Sequence, residues 1–179
     1  MARDAATTRA RILEAATTEF AARGIAGARV DRIADLAGCN KALLYAYFGN
    51  KEQLFDAVFA GLVQRLVTDN PIDAERVDEY AGRLVDYKAA HPEIVRLALW
   101  DRLERDGAGM RSAELVVTDA AKTAAIAAAQ SRGAISTRFA PETAMALITV
   151  LSSMLPFLLP GGTAELRAAV TAAIDRLLR

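Results

Sequence analysis

An all-α fold is predicted from three observations. The 179 residues are rich in alanine and carry few runs of β-branched residues. Apolar residues recur at i, i+3 and i+4 over nearly the whole length, the period of a helix buried on one side rather than the alternation of a strand. Glycines and prolines between these periodic segments cut the chain into about nine helices.

Taken in order, the first helix is expected from a Thr8 cap through the stripe Ile12, Leu13, Ala16 and Phe20 to Gly24. A short second helix has Ile33, Leu36 and Ala37 as its apolar face, and Gly38 closes it. Asn40 is a good cap for a third, whose inward residues are Leu44 and Phe48. A fourth starts at Lys51 and runs to about Val67, where Asp69-Asn70-Pro71 stops it. Residues 73 to 90 form the fifth, with Val77, Leu84, Val85 and Tyr87. Pro92 suits the first position of the sixth, which carries Ile94, Leu97, Ala98 and Trp100 and stops near Asp106-Gly107. Ser112 caps an alanine-rich seventh that Gly133 closes. The eighth opens at Pro141, is apolar on nearly every side (Met145, Leu147, Ile148, Leu151, Met154, Leu155, Leu158) and ends at Pro160-Gly161-Gly162. Thr163 caps the ninth, whose stripe is Leu166, Val170, Ala173, Ile174 and Leu177.

Helix, glycine turn and helix over residues 30 to 48 make the outline of a helix-turn-helix, whose second helix lies in the DNA major groove. With Leu44 and Phe48 inward, 100° per residue puts Ala42, Leu43, Tyr45 and Ala46 on the opposite face, flanked by Lys41 and Tyr47. Small Ala42 and Ala46 let the backbone approach base edges. Leu43 suits a thymine methyl, and Lys41 suits guanine O6/N7 or a phosphate. Tyr45 and Tyr47 offer hydroxyl donors to phosphate, and Asn40 with the helix N-terminus adds backbone N–H donors.

The pattern Arg9-x-x-Ile12-Leu13-x-Ala15-Ala16-x-x-x-Phe20-x-x-x-Gly24, then Ile33-Ala34-x-x-Ala37-Gly38, then Leu44-Tyr45-x-Tyr47-Phe48-x-x-Lys51-x-x-Leu54-Phe55 closely resembles the N-terminal domain of the TetR family of transcriptional regulators. The resemblance covers roughly the first third of the chain and implies a phosphate contact for Lys51. Two positions depart from it. Family members often have threonine or serine near position 28 and a basic residue at 31, where this chain has Ala28 and Asp31. Arg29 or Arg32 would then substitute. With Leu43 in place of a small polar residue, hydrogen-bond readout is sparse and sequence preference leans on methyl contacts and DNA shape. Cys39 sits at a turn position that is usually apolar in the family, and is read as a small buried hydrophobe.

Net charge is zero, with 22 basic and 22 acidic residues. The distribution is uneven: residues 1 to 51 carry eight basic and five acidic side chains, so a modestly basic end is joined to an acidic remainder. One cysteine excludes an intramolecular disulfide framework. With no signal peptide ahead of the first helix, the chain reads as cytoplasmic. Residues 143 to 160, the most apolar run, are short for a membrane span and include Ser152, Ser153 and Pro156, so no membrane partner is expected.

Catalysis has little support. His91 is the only histidine and reads as a turn residue before Pro92, and no nucleophile elbow, phosphate loop, dinucleotide fingerprint or metal-ligand cluster occurs. Glu104 and Asp106 sit where a solvated helix end is expected. Neither an enzyme nor a cofactor is therefore expected.

The resemblance further implies a small-molecule effector among the C-terminal helices whose binding moves the two DNA-reading domains apart. Candidates to line its site are Tyr87, Leu97, Trp100, Met110 and Met154, with Arg96 or Asp101 as polar selectors, and such a lining favours a hydrophobic or amphipathic molecule. A helix apolar all round must be covered on all sides. The last two helices are accordingly expected to meet their copies in a homodimer, as the resemblance also implies, through Met145, Ile148, Leu151, Leu155, Leu166, Val170 and Ile174. The expected division is a DNA-binding domain over residues 1–50 and a helical effector-binding and dimerisation domain over 51–179. The expected function is a repressor that leaves a pseudo-palindromic double-stranded DNA operator when its effector binds. The alternatives are a regulator of the same fold without an effector and, further off, a helical enzyme.

Overall fold

The computed structural model describes residues 2–159 and 161–179, with every side chain among them except those of Ala2, Arg3, Glu114 and Phe157. Among the described residues there are nine α-helices, one short 3-10 turn and no strand. The helices are α1 (Ala2–Gly27), α2 (Val30–Ala37), α3 (Lys41–Phe48), α4 (Lys51–Asp69), α5 (Val77–Ala90), α6 (Pro92–Arg105), α7 (Ala113–Ser131), α8 (Pro141–Leu158) and α9 (Thr163–Leu178), with the turn at Gly109–Arg111 between α6 and α7. They divide into two compact units, one of residues 1–64 with 93–112 and one of residues 65–92 with 113–179.

The first unit is built on short apolar faces. Ile12, Ala16 and Phe20 of α1, Ile33, Ala34 and Ala37 of α2, Leu44 and Phe48 of α3, and Leu54, Phe55 and Phe59 of α4 are all buried. Phe20 meets Phe55 edge-on at 5.3 Å between centroids, and Phe55 stacks on Phe59 at 5.8 Å, geometries that favour aromatic pairs. Gly24 lies inside α1 with φ 72° and ψ −178°, so the helix kinks there. A Cβ at that position would stand 2.9 Å from the Trp100 ring of α6, which leaves glycine as the residue that fits.

Several local expectations are corrected. Thr8 is interior to α1, because the helix starts at Ala2. Leu36 is 64% exposed, and Val30 takes its place on the buried face of α2. Cys39 is half-buried rather than buried. The fifth helix starts at Val77 and not at residue 73, where the Asp73 carboxylate accepts from the Glu75 and Arg76 amides and holds a turn. Ser112 precedes α7, but its buried hydroxyl makes no hydrogen bond among the described residues. Gly162, not Thr163, is the cap position of α9. Pro160 lies outside the described residues.

In the second unit α5 packs against both α8 and α9. Its residues Val77, Tyr80, Ala81, Leu84 and Val85 join Ile126 and Ala129 of α7, Met145 and Ile148 of α8, and Val170, Ile174 and Leu178 of α9 in one core. Most of the residues expected at the subunit interface lie in this core. Ile148, Val170 and Ile174 are 0% exposed, and Leu166 and Met145 are also buried, all within a single chain. Leu151 and Leu155 are half-buried against the same core. What remains outward on α8 is a different row, Ala146 and Val150 exposed, Met154 half-buried and Leu158 exposed.

Candidate nucleic-acid interface

Residues 30 to 48 form two eight-residue helices joined at a left-handed glycine. Gly38 has φ 61° and ψ 42°, and its amide bonds back to α2 carbonyls, the ordinary closure of a helix C-terminus. The Asn40 Oδ1 then accepts the Leu43 amide at 2.8 Å and starts α3. Leu44 and Phe48 are the buried residues of α3, so the rotation of the helix is fixed. Lys41, Ala42, Leu43, Tyr45 and Ala46 are exposed, and Asn40 precedes them, also exposed. Tyr47 is half-buried, its ring 6.2 Å from that of Phe48.

The charged residues around α3 are more engaged than their spacing suggests. Lys41 Nζ lies 3.0 Å from Asp31 Oδ1, with both side chains about half exposed. The hydrogen bond and charge of Asp31 hold the Lys41 ammonium above its ordinary range. Arg32 is bound to Glu19 through Nε at 2.8 Å and Nη2 at 2.7 Å. Glu19 is buried and also accepts the Arg29 amide at 3.0 Å. Burial alone would push the Glu19 carboxyl up, but these bonds outweigh it and hold the group below the usual carboxylate range. Arg32 is therefore occupied in joining α1 to α2, while the Arg29 side chain stays exposed. The half-buried Lys51 donates from Nζ to the carbonyls of Ala26 (3.2 Å) and Ala28 (3.3 Å), tying the start of α4 to the end of α1. Glu104, read as solvated, accepts the Ala26 amide at 2.7 Å.

The residues expected to line an effector site fall in both units, and Asp101, Trp100 and Tyr87 among them are held by other contacts. In the first unit, Asp101 is 0% exposed and accepts the Gly109 and Met110 amides, with Arg105 at 3.8 Å, so it holds the turn after α6 and is no free selector. Trp100 packs on Gly24, Leu97 is fully buried, and Arg96 and Met110 are exposed. In the second unit, Tyr87 donates to Asp69 at 3.0 Å and its ring lies tilted against His91 at 4.5 Å between centroids, and Met154 is half-buried. A groove of about 550 Å³ beside α5 and α9 is lined by Asp78, Ala164, Arg167, Ala168, Thr171, Ala172 and Asp175, small and charged residues rather than the apolar set expected of such a site. Two engaged groups were not singled out from the sequence. Glu19 carried no local signal, whereas Lys88 sits on the inward face of α5, where periodicity marks it as out of place.

Among the described residues no group of acidic, histidine or cysteine side chains could hold a metal ion, and no helix is long and apolar enough to cross a membrane. Two family descriptions match the chain, "Bacterial regulatory proteins, tetR family" over residues 12–58 and "Tetracyclin repressor-like, C-terminal domain" over residues 76–176. The chain is similar to the HTH-type transcriptional repressor SCO4008 of Streptomyces coelicolor, 40% identical over 99% of this chain and 98% of that protein. It is also similar to the HTH-type transcriptional repressor NicS of Pseudomonas putida, 34% identical over 58% of this chain and 52% of that protein. Among solved structures, SCO4942 of Streptomyces coelicolor superposes with a TM-score of 0.84 at 34% identity, covering 96% of this chain and 98% of that one. A TetR family transcription regulator from Marinobacter aquaeolei shares the fold, with a TM-score of 0.75 at 24% identity over 98% of this chain and 97% of that one.

Proposed function

The chain belongs to the TetR family of bacterial regulatory proteins, and from that premise we propose that it is a cytoplasmic, homodimeric transcriptional repressor that reads DNA with α3 and is released by a small molecule. Its families and relatives are transcriptional regulators, not enzymes. One observation carries the DNA-reading assignment: Leu44 and Phe48 anchor α3 while Lys41, Ala42, Leu43, Tyr45 and Ala46 face solvent together. In this reading residues 1–50 dock on the duplex and residues 51–179 bind the effector and the second subunit. Ala42 and Ala46 allow close approach to base edges, Leu43 meets a thymine methyl, and Lys41, Tyr45 and Tyr47 take phosphates or guanine. Arg29 adds a cation at the start of α2. Lys51, with its ammonium on two carbonyls, supports the interface by holding α4 to α1 and reaches phosphate only through its remaining hydrogen.

Dimerisation is assigned to the outward row of α8, Ala146, Val150, Met154 and Leu158, since five of the seven residues first expected there are buried inside one chain. Two copies of α3 in successive major grooves require a pseudo-palindromic operator with half-sites about one helical turn apart, or somewhat more if the subunits sit wide. The reading without an effector draws on the engagement of Asp101, Trp100 and Tyr87 in structural contacts. It predicts that no small molecule releases the operator.

The test is Ala46→Glu. Position 46 is exposed, so helicity and melting temperature should match wild type, while the added bulk and charge against phosphates abolish binding in fluorescence anisotropy. Binding of the variant with wild-type affinity would remove α3 from the interface.

A further inference from the structure

The inward face of α5 runs through Val77, Tyr80, Ala81, Leu84 and Val85, all buried. The same spacing places residue 88 next on that face, and it is a lysine, 8% exposed. Opposite it on α8 are Ser152, fully buried, and the half-buried Ser153. Lys88 Nζ donates to Ser152 Oγ at 2.8 Å and to Ser153 Oγ at 2.7 Å. Ser152 passes its own hydrogen to the Ile148 carbonyl at 2.7 Å, so toward Lys88 it acts only as an acceptor.

Buried charges are ordinarily paired with an opposite charge, because an isolated one is costly to desolvate. Lys88 has no carboxylate partner among the described residues. The charge that acts on it from α7 is another cation, Lys122, whose own partner is Asp119 at 3.5 Å. Burial first, and then Lys122, bring Lys88 down to about 7. For the fold alone an apolar side chain would serve better here. An ammonium carries three hydrogens and the serines take two, which leaves the third, with the Ser153 hydroxyl hydrogen, for an acceptor. A carboxylate supplies the missing charge and two acceptor oxygens. An acid with an apolar body suits the position, since Leu84 and Val85 of α5 and Leu155 of α8 belong to the apolar core on the same two helices.

We propose that Lys88, Ser152 and Ser153 form the anion-recognising end of the effector site, and that the effector is a small organic acid with an apolar body. This rests on the reading that a small molecule regulates the chain. The carboxylate binds Lys88 and Ser153 as an ion pair with hydrogen bonds, and no covalent step is involved.

The probes are octanoate and phenylacetate beside octanamide and phenylacetamide, added to the full-length protein and scored by thermal shift and by release of a bound duplex. Both acids are expected to stabilise the wild type and release DNA, with the amides at least tenfold weaker. Lys88→Met fits the apolar position, should fold, and should lose the preference for acids, whereas Lys88→Arg should keep it. Equal action of acids and amides, or an acid preference that survives in Lys88→Met, overturns the assignment. So does failure of both acids to act on wild type. A parallel panel of neutral and cationic apolar compounds separates the two levels. Release by any of these leaves the effector reading standing without Lys88, and release by no compound in either panel ends that reading as well.

Discussion

Asp31→Asn should make this protein bind DNA more tightly and with a steeper dependence on salt. Asp31 lies 3.0 Å from Lys41 at the N-terminal end of α3, and its side chain is more exposed than that of Lys41, at 57% against 49%. A carboxylate in that position has two effects on an approaching duplex: it neutralises the lysine nearest the groove, and it repels phosphates itself. Exposed ion pairs are weak, so freeing Lys41 should raise affinity only roughly 2- to 5-fold per half-site, and roughly 4- to 25-fold for a dimer that uses two. The salt dependence is the sharper readout. Each added phosphate contact steepens the slope of log affinity against log salt by about 0.9, hence by about 1.8 for two copies. Between 50 and 200 mM salt that slope alone predicts a further loss of roughly tenfold in the variant relative to wild type. Fluorescence anisotropy on a labelled duplex across a potassium chloride series measures both quantities. The double variant with Lys41→Met isolates the route, since the gain should vanish when Lys41 is absent. An unchanged slope in Asp31→Asn, or a gain that persists without Lys41, would refute the reasoning.

Three other outcomes follow from the packing. Glu19→Gln should lower stability by about 1–3 kcal/mol near neutral pH through weakened bonds to Arg32 and the Arg29 amide. Because the folded carboxyl lies below its ordinary value, that stabilisation is present above the unfolded pKa and is lost as pH falls through the folded one, so urea melts of the two proteins should converge in acid. Val150→Glu should give a folded monomer by sedimentation, because Val150 is 54% exposed on one chain, whereas Ile174→Asp, at a fully buried position, should unfold the second unit. A Val150→Glu dimer of wild-type strength would move the interface elsewhere. Lys88 releases its proton near 7 when folded but near 10.5 when unfolded. The unfolded chain therefore holds more protons between those values, and the stability of wild type relative to Lys88→Met should rise with pH across that window. A pH-independent difference would contradict the burial assigned to the ammonium.

The DNA-reading end was largely legible because its determinants are local. Gly38, Asn40 and the Leu44 and Phe48 pair specify a turn, a cap and a helix rotation from residues within a few positions of one another. What could not be read there depends on partners distant in sequence. Glu19 meets Arg32 thirteen residues on, and Lys51 reaches carbonyls 23 and 25 residues back, so charges that looked free for phosphate are held by the fold. Leu36 looked inward because it stands three residues after Ile33, yet the buried face of α2 is centred on Val30, Ile33, Ala34 and Ala37. The apolar abundance of α8 led to the expectation that it is covered on all sides by a second subunit. Its own chain supplies part of that cover through α5, α7 and α9, which a local pattern cannot show, and Val150 and Leu158 are left outward. Lys88 was legible in principle, as a charge on an apolar helical face, but its significance depends on the serines that α8 brings to it.

Selection of bound sequences from a random duplex library, run in parallel on wild type and Ala46→Glu, tests sequence-specific reading by α3 most directly. The wild type should enrich an inverted repeat with half-sites about one helical turn apart or somewhat more, while the variant enriches nothing above background. Enrichment of the same repeat by both proteins, or of no symmetric sequence by the wild type, would contradict the account.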